Sequence, residues 1–277
     1  MAAYIGLSAR FVDGEGPTGG ALARPLVLLH GFTQSGASWA PVVDALSGRA
    51  PLVLPDAPGH GRSAGIVADL WATADLLADL VAQRAFWAGY SMGGRTALHL
   101  ALAHPEEVER LVLISTGAGI EDDVARTARR ATDEDLARRI ETEGVESFLS
   151  WWLAQPLFAT LRTERAGHEA RMVNTARGLA SSLRTAGAGV QEPLWHRLSE
   201  LGRRNLPVLL VAGERDARYL HQARRMAAAI GPSATLWVVP GAGHACHLEQ
   251  PGVVAEAMVA FCGGGAGEPL KRQTDRQ

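Results

Sequence analysis

The stretch WAGYSMGGRTALHL occupies Trp87 to Leu100, and at its centre Gly89-Tyr90-Ser91-Met92-Gly93 is a serine boxed by glycines. An apolar run, Arg84 to Ala88, precedes it, and a helix-compatible stretch, Gly93 to Ala103, follows. Strand, sharp turn and helix is the setting in which a serine is held on a strained elbow at the end of a strand, with glycines letting the backbone pass close on both sides. A bare G-x-S-x-G also occurs in ordinary turns, so the surroundings decide.

Outward from the serine the same kind of apolar run recurs at Pro25–Leu29, Pro51–Leu54, Arg110–Ser115, Leu206–Ala212 and Ala234–Val239. These runs are short, bounded by Gly or Pro and without polar alternation, as strands buried on both faces are. Amphipathic stretches at Leu70–Gln83 and Leu220–Ala229 fall between them. The alternation predicts an α/β fold, a mostly parallel central sheet with helices on both faces.

Between about Ile120 and Leu201 the alternation stops and the sequence turns helical and arginine-rich. An inserted helical cap is the simplest reading. It divides the chain into a first core part (1–119), the cap (120–201), a second core part (202–263) and a glycine-rich, then polar tail (264–277) expected to be disordered.

The chain has 277 residues, a net charge of −2 and 47% hydrophobic residues, enough to bury a sizeable core. No long basic run marks it for nucleic acid or an anionic membrane surface. There is neither a leader-like N-terminus nor an apolar span long enough for a bilayer, so a soluble, cytoplasmic protein is expected, as a monomer or small homo-oligomer. Lys271 is the sole lysine, so arginine richness is first a compositional bias, and each arginine needs its own argument. Cys246 lies between His244 and His247, but no second ligand cluster completes a metal site, and no strand-GxGxxG-helix unit signals a dinucleotide. Neither metal nor cofactor is expected.

A serine hydroxyl is a poor nucleophile or base unless an imidazole takes its proton and a carboxylate fixes that imidazole's tautomer. Asp216, in "LLVAGERDARY", and His244, in "LWVVPGAGHACHLEQP", follow Ser91 in chain order, each just past a predicted strand. Alone, Asp216 could be a helix cap and His244 a loop histidine; the ordered set points to a Ser91–His244–Asp216 triad. After the first apolar run, His30-Gly31-Phe32 turns the chain so that the Phe32 amide, with that of Met92, forms a candidate oxyanion hole. The loop "DAPGHGRS", Asp56 to Ser63, is read as structural, and His60 stays outside the mechanism.

Together "LVLLHGF", "DAPGHGRS", "GYSMGG", "GERD" and "GAGH" resemble the α/β-hydrolase superfamily, whose fold serves many chemistries. Four stretches, "GYSMGGRTAL", "SFLSWWLAQPLFA" (147–159), "GLASSLRTAGAGVQEPLW" (178–195) and "GAGHACHLEQP" (241–251), resemble the family of 2-succinyl-6-hydroxy-2,4-cyclohexadiene-1-carboxylate synthase, a lyase of the menaquinone pathway. That resemblance implies a small polycarboxylate substrate, which gives Arg95 a purpose: a planar, permanently charged fork one helical turn beyond Ser91. It also implies substrate contacts from Tyr90, from Arg129 or Arg130, from Arg171, and from Trp151 or Trp152 as a wall. Other cap arginines are expected on solvated faces or paired with nearby glutamates. Where several relatives carry Asp-x-Lys this chain has Asp216-Ala217-Arg218, and no ligand role is carried to Arg218. The implied reaction is proton abstraction next to the succinyl ketone, with Ser91 as base, and elimination of pyruvate. A hydrolase using the same triad on an ester or carbon-carbon bond is the alternative, and a non-catalytic binding protein of the same fold is a third reading.

Overall fold

The apolar runs become strands β2 (Leu26–Leu29), β3 (Leu52–Pro55), β4 (Ala85–Tyr90), β5 (Val108–Ile114), β6 (Val208–Gly213) and β7 (Ala234–Val239), after a short β1 (Ala9–Val12). The structure is a computed structural model that describes residues 6–14 and 22–264; apart from Gly264, the tail expected to be disordered lies outside the described residues.

The sheet has seven strands in the order β1-β3-β2-β4-β5-β6-β7. Only β1 runs antiparallel, pairing with β3 through Arg10 opposite Leu54; β2 to β7 are parallel. Successive strand residues point to opposite faces, and both faces are covered. Leu26, Leu28 and Phe86 pack with α1 (Ala40–Leu46) and the C-terminal helix. Val27, Leu29 and Trp87 pack with α2 (Leu70–Val81) and α3 (Met92–Ala103) on the other face. Each such aliphatic side chain, fully buried, contributes about 1.5–3 kcal/mol, so the order of the central strands is fixed by the core. The fold is α/β-hydrolase in class, as expected; β1 was not foreseen.

Between β5 and β6 run α4 (Asp123–Leu153), α5 (His168–Arg171), α6 (Ala176–Ala186) and α7 (Leu198–Arg203). Gly144, at φ 80° and ψ 170°, breaks α4. Helices α4 and α6 share an apolar cluster of their own, Ala137, Ile140, Phe148, Leu179 and Leu183. Arg184 ties them outside by pairing with Glu134 (2.9 Å) and Glu141 (2.6 Å). Arg126, Arg138 and Arg139 likewise pair with Asp123, Asp135 and Glu143, the solvated partnering expected of cap arginines. The Leu194 amide donates to Ala118 O at 2.7 Å and the Trp195 indole to Gly119 O at 2.9 Å, stitching the two ends of this excursion together. Leu194, Leu198 and Leu201, the last part of the 120–201 span, are buried in the main core. After β6 come α8 (Ala217–Ile230), the one-turn α9 (Cys246–Glu249) and α10 (Pro251–Gly263). No helix among the described residues is long and apolar enough to cross a membrane.

Candidate active site

Ser91 stands between β4 and α3 with φ 51° and ψ −107°, a conformation that L-residues occupy only under constraint. Two tethers hold it there: its amide donates to Ile114 O at 2.9 Å, and the Thr116 hydroxyl donates to Ser91 O at 2.8 Å. The glycines are steric requirements. A Cβ on Gly89 would stand 2.2 Å from Gly93 O, and one on Gly93 2.2 Å from Leu29 O.

Asp216 and His244 leave the ends of β6 and β7 toward Ser91. His244 Nε2 lies 3.2 Å from Ser91 Oγ, and His244 Nδ1 lies 2.7 Å from Asp216 Oδ2. With Nδ1–H donating to the carboxylate, Nε2 is left as the acceptor for the serine proton. The two readings of Asp216 turn out to be compatible, since its other oxygen, Oδ1, accepts the Tyr219 amide at 3.2 Å as the N-cap of α8. The cap fixes the carboxylate that fixes the imidazole. Asp216 and His244 are both buried, and the Tyr219 ring packs on His244 with centroids 4.5 Å apart.

The turn after β2 is braced by two buried histidines. His30 Nδ1 donates to Gly31 O (2.8 Å) while its Nε2 accepts from Ala57 N (3.0 Å). His60 Nδ1 donates to Pro58 O (3.0 Å) while its Nε2 accepts from Thr33 N (3.3 Å). That pattern needs neutral rings and explains the structural reading of His60. The Phe32 and Met92 amides donate to no other described residue, as donors reserved for a ligand oxygen would.

Burial lowers His30 to about 4, His60 to about 3 and His99 on α3 to about 4. Above pH 6.5 these rings are neutral folded and unfolded, and their contribution to stability is complete. Below it the unfolded chain takes up protons that the folded chain refuses, which lowers the folding constant about tenfold per pH unit for each histidine. The urea unfolding midpoint is therefore expected to fall between pH 6.5 and 4, and a midpoint unchanged at pH 5 would refute the assignment.

Between the α4–α6 layer and the C-terminal ends of the strands lies a cavity of about 520 Å³, within the usual range for a small-molecule site. Phe32, Ser91, Met92, Arg95, Arg129, Trp151 and Trp152 all line it, so the structure brings these predicted residues together. Arg95 donates to a neutral acceptor, Ala186 O, at 2.7 Å. Burial lowers its guanidinium to about 10, which leaves it a cation at neutral pH. Arg129 pairs with Asp133 at 2.7 Å, whose second oxygen accepts the Gly189 amide at 2.9 Å.

Behind Ser91, Asp216 and His244 lie outside the cavity lining, as do three of the residues expected to contact substrate. Arg130 is exposed, which resolves the adjacent pair in favour of Arg129: neighbours on a helix cannot share a face. Tyr90, the residue before Ser91, projects to the opposite side of the strand, where its ring packs on His244 and His247 at 5.3 and 4.0 Å between centroids. Burial raises its phenol well above the ordinary value, so it stays protonated. Arg171 is 2% exposed; its Nε donates to Ala166 O (2.9 Å) and its Nη1 to the Thr33 hydroxyl. Those two bonds lock α5 onto the turn that carries Phe32.

Arg218, to which no role was carried, lines the cavity from α8, as do Tyr219 and Gln222. Its position two residues after Asp216 on a helix start was the available signal. Gln191, also in the lining, gave none.

Residues 24–251 match the family described as "alpha/beta hydrolase fold". The 2-succinyl-6-hydroxy-2,4-cyclohexadiene-1-carboxylate synthase of Enterobacter sp. (strain 638) is 35% identical over 84% of this chain and 89% of its own. The chain belongs to that synthase family. Among solved structures, MenH from S. aureus superposes with a TM-score of 0.83 at 27% identity, covering 91% of this chain and 97% of its own. A thermophilic esterase from Thermogutta terrifontis superposes at 0.74 with 25% identity, covering 91% and 92%. The fold is thus shared with esterases, and the choice of chemistry within it rests on the cavity wall.

Proposed function

We propose that this member of the synthase family is a carbon-oxygen lyase of menaquinone biosynthesis. Its substrate is 2-succinyl-5-enolpyruvyl-6-hydroxy-3-cyclohexene-1-carboxylate and its product 2-succinyl-6-hydroxy-2,4-cyclohexadiene-1-carboxylate. The observation that carries this reading is the cavity wall: Ser91 shares it with Arg95, Arg129 and Arg218, and no Asp or Glu is among its lining residues. A trianionic ligand meets fixed cations there, and arginine holds carboxylates in a bidentate fork.

In this reading Ser91, its own proton drawn toward His244, removes the ring C2 proton beside the succinyl ketone, and Asp216 orients the resulting imidazolium. The electron pair forms the C2–C3 double bond, the C3–C4 double bond shifts to C4–C5, and the C5–O bond breaks. The departing enolpyruvate takes up a proton to become pyruvate. The Phe32 and Met92 amides would bind the ketone oxygen as it gains charge. No acyl-enzyme and no water enter the balance.

The test is incubation of the purified protein, without added metal or cofactor, with freshly generated substrate, following pyruvate and diene absorbance together. Equimolar pyruvate and diene well above the spontaneous background are expected. Background rates combined with Ser91-dependent cleavage of a simple ester would replace the lyase with a hydrolase.

A further inference from the structure

Gln191 is 2% exposed, lines the cavity, and has no hydrogen-bond partner for either Nε2 or Oε1. Leaving a buried polar group unpaired is costly, so an amide with both ends unpaired calls for a partner that arrives later. Its loop is pinned to both cavity arginines on its side: Ala186 O accepts from Arg95, and Gly189 N donates to the Asp133 carboxylate that holds Arg129. From α8, Gln222 also lines the cavity, and its Oε1 is likewise buried and unpartnered.

The chemistry of these atoms narrows the ligand class. Arginines only donate and carboxylates only accept, so a bare polycarboxylate would satisfy the arginines and leave the amide oxygens of Gln191 and Gln222 empty. Those oxygens need a hydrogen-bond donor. Of the groups on the proposed substrate (three carboxylates, a ketone, an enol ether and one hydroxyl), only the hydroxyl can donate at neutral pH.

We propose that Gln191 is a specificity residue that reads a ligand hydroxyl next to a carboxylate. Its Oε1 accepts the hydroxyl hydrogen, and its Nε2 donates to the hydroxyl or the neighbouring carboxylate oxygen; Gln222 offers a further acceptor. The inference rests on the polycarboxylate reading above and deepens it: the site is built for hydroxy polycarboxylates and discriminates against their deoxy counterparts. In the proposed reaction the group read is the ring 6-hydroxyl, which neighbours the ring carboxylate.

Citrate and tricarballylate carry the same carboxylates and differ by one hydroxyl, so they isolate this interaction. Isothermal titration of the full chain is expected to show citrate binding at least about tenfold more tightly, since a site built around a hydroxyl rejects the analogue lacking it. In Gln191→Leu the preference collapses through weaker citrate binding while tricarballylate stays within about twofold. Its melting temperature is not lowered, because an unpaired buried amide is gone; a structural amide would show the opposite. Gln222→Leu, on a different element, is expected to diminish the same preference and serves if the first variant does not fold. Equal affinities in the wild type, binding of neither acid, or a preference that survives both substitutions overturns the proposal. The pyruvate assay fails separately: turnover without hydroxyl preference leaves the reaction and removes the role of Gln191, whereas preference without turnover does the reverse.

Discussion

Ser91→Ala is expected to lower kcat/KM for pyruvate release by roughly 10³-fold or more, with the unfolding midpoint close to that of the wild type. The size follows from how little else in the cavity can accept a carbon-bound proton. Arginines cannot, the Tyr90 phenol is buried and outside the lining, and no carboxylate is among the lining residues. His244 is buried behind Ser91, 3.2 Å from its hydroxyl, so removing Oγ leaves the base one atom short of the substrate. Ligand affinity should be preserved, because the cations stay in place. Steady-state kinetics with a parallel binding titration separates the two: kcat should collapse while Kd holds. A Ser91→Ala enzyme with tenfold or less loss would move the base elsewhere, and loss of binding with kcat intact would make Ser91 a ligand contact only.

The parallel strands were legible because the sheet buries both faces: runs such as "LVLL" and "VLLVA" contain no position that solvent could have chosen. Strand β1 was not, since its residues Ala9–Val12 sit at an edge with Phe11 exposed and carry neither an apolar run nor a turn signal. Ser91, Asp216 and His244 were legible as a chain order because each must leave the end of a strand. The contacts implied for Tyr90, Arg130 and Arg171 depended on side-chain direction, which depends on partners distant in sequence. Strand alternation alone could have set Tyr90 apart from Ser91. Each of the two adjacent arginines has an acidic residue four positions on, Asp133 for Arg129 and Glu134 for Arg130, so local spacing could not tell them apart. Nothing local distinguishes Arg171, whose guanidinium reaches Thr33 across 138 residues, or Gln191, a residue type that ordinarily faces water.

Arg95→Ala is expected to reduce kcat/KM by about 10²- to 10³-fold, the usual consequence of deleting a charged hydrogen-bonding partner worth about 3–4 kcal/mol in an enclosed site. Unlike the serine variant, this one should act largely through KM, because the guanidinium binds the same carboxylate before and during elimination. Arg95→Lys should recover only part of the loss. An ammonium offers a point charge where the fork serves two partners, Ala186 O and the ligand. The titration supplies an independent check. Burial brings the guanidinium down to about 10; its charge is complete below that pH and is lost as pH rises through it, so affinity for a polycarboxylate should weaken above about pH 10 in the wild type. In Arg95→Ala that alkaline limb should be shallower, since the group that titrates is absent. A KM unchanged in Arg95→Ala would return this arginine to the role of a tie between α3 and α6, and the cavity's anion selectivity would then fall to Arg129 and Arg218.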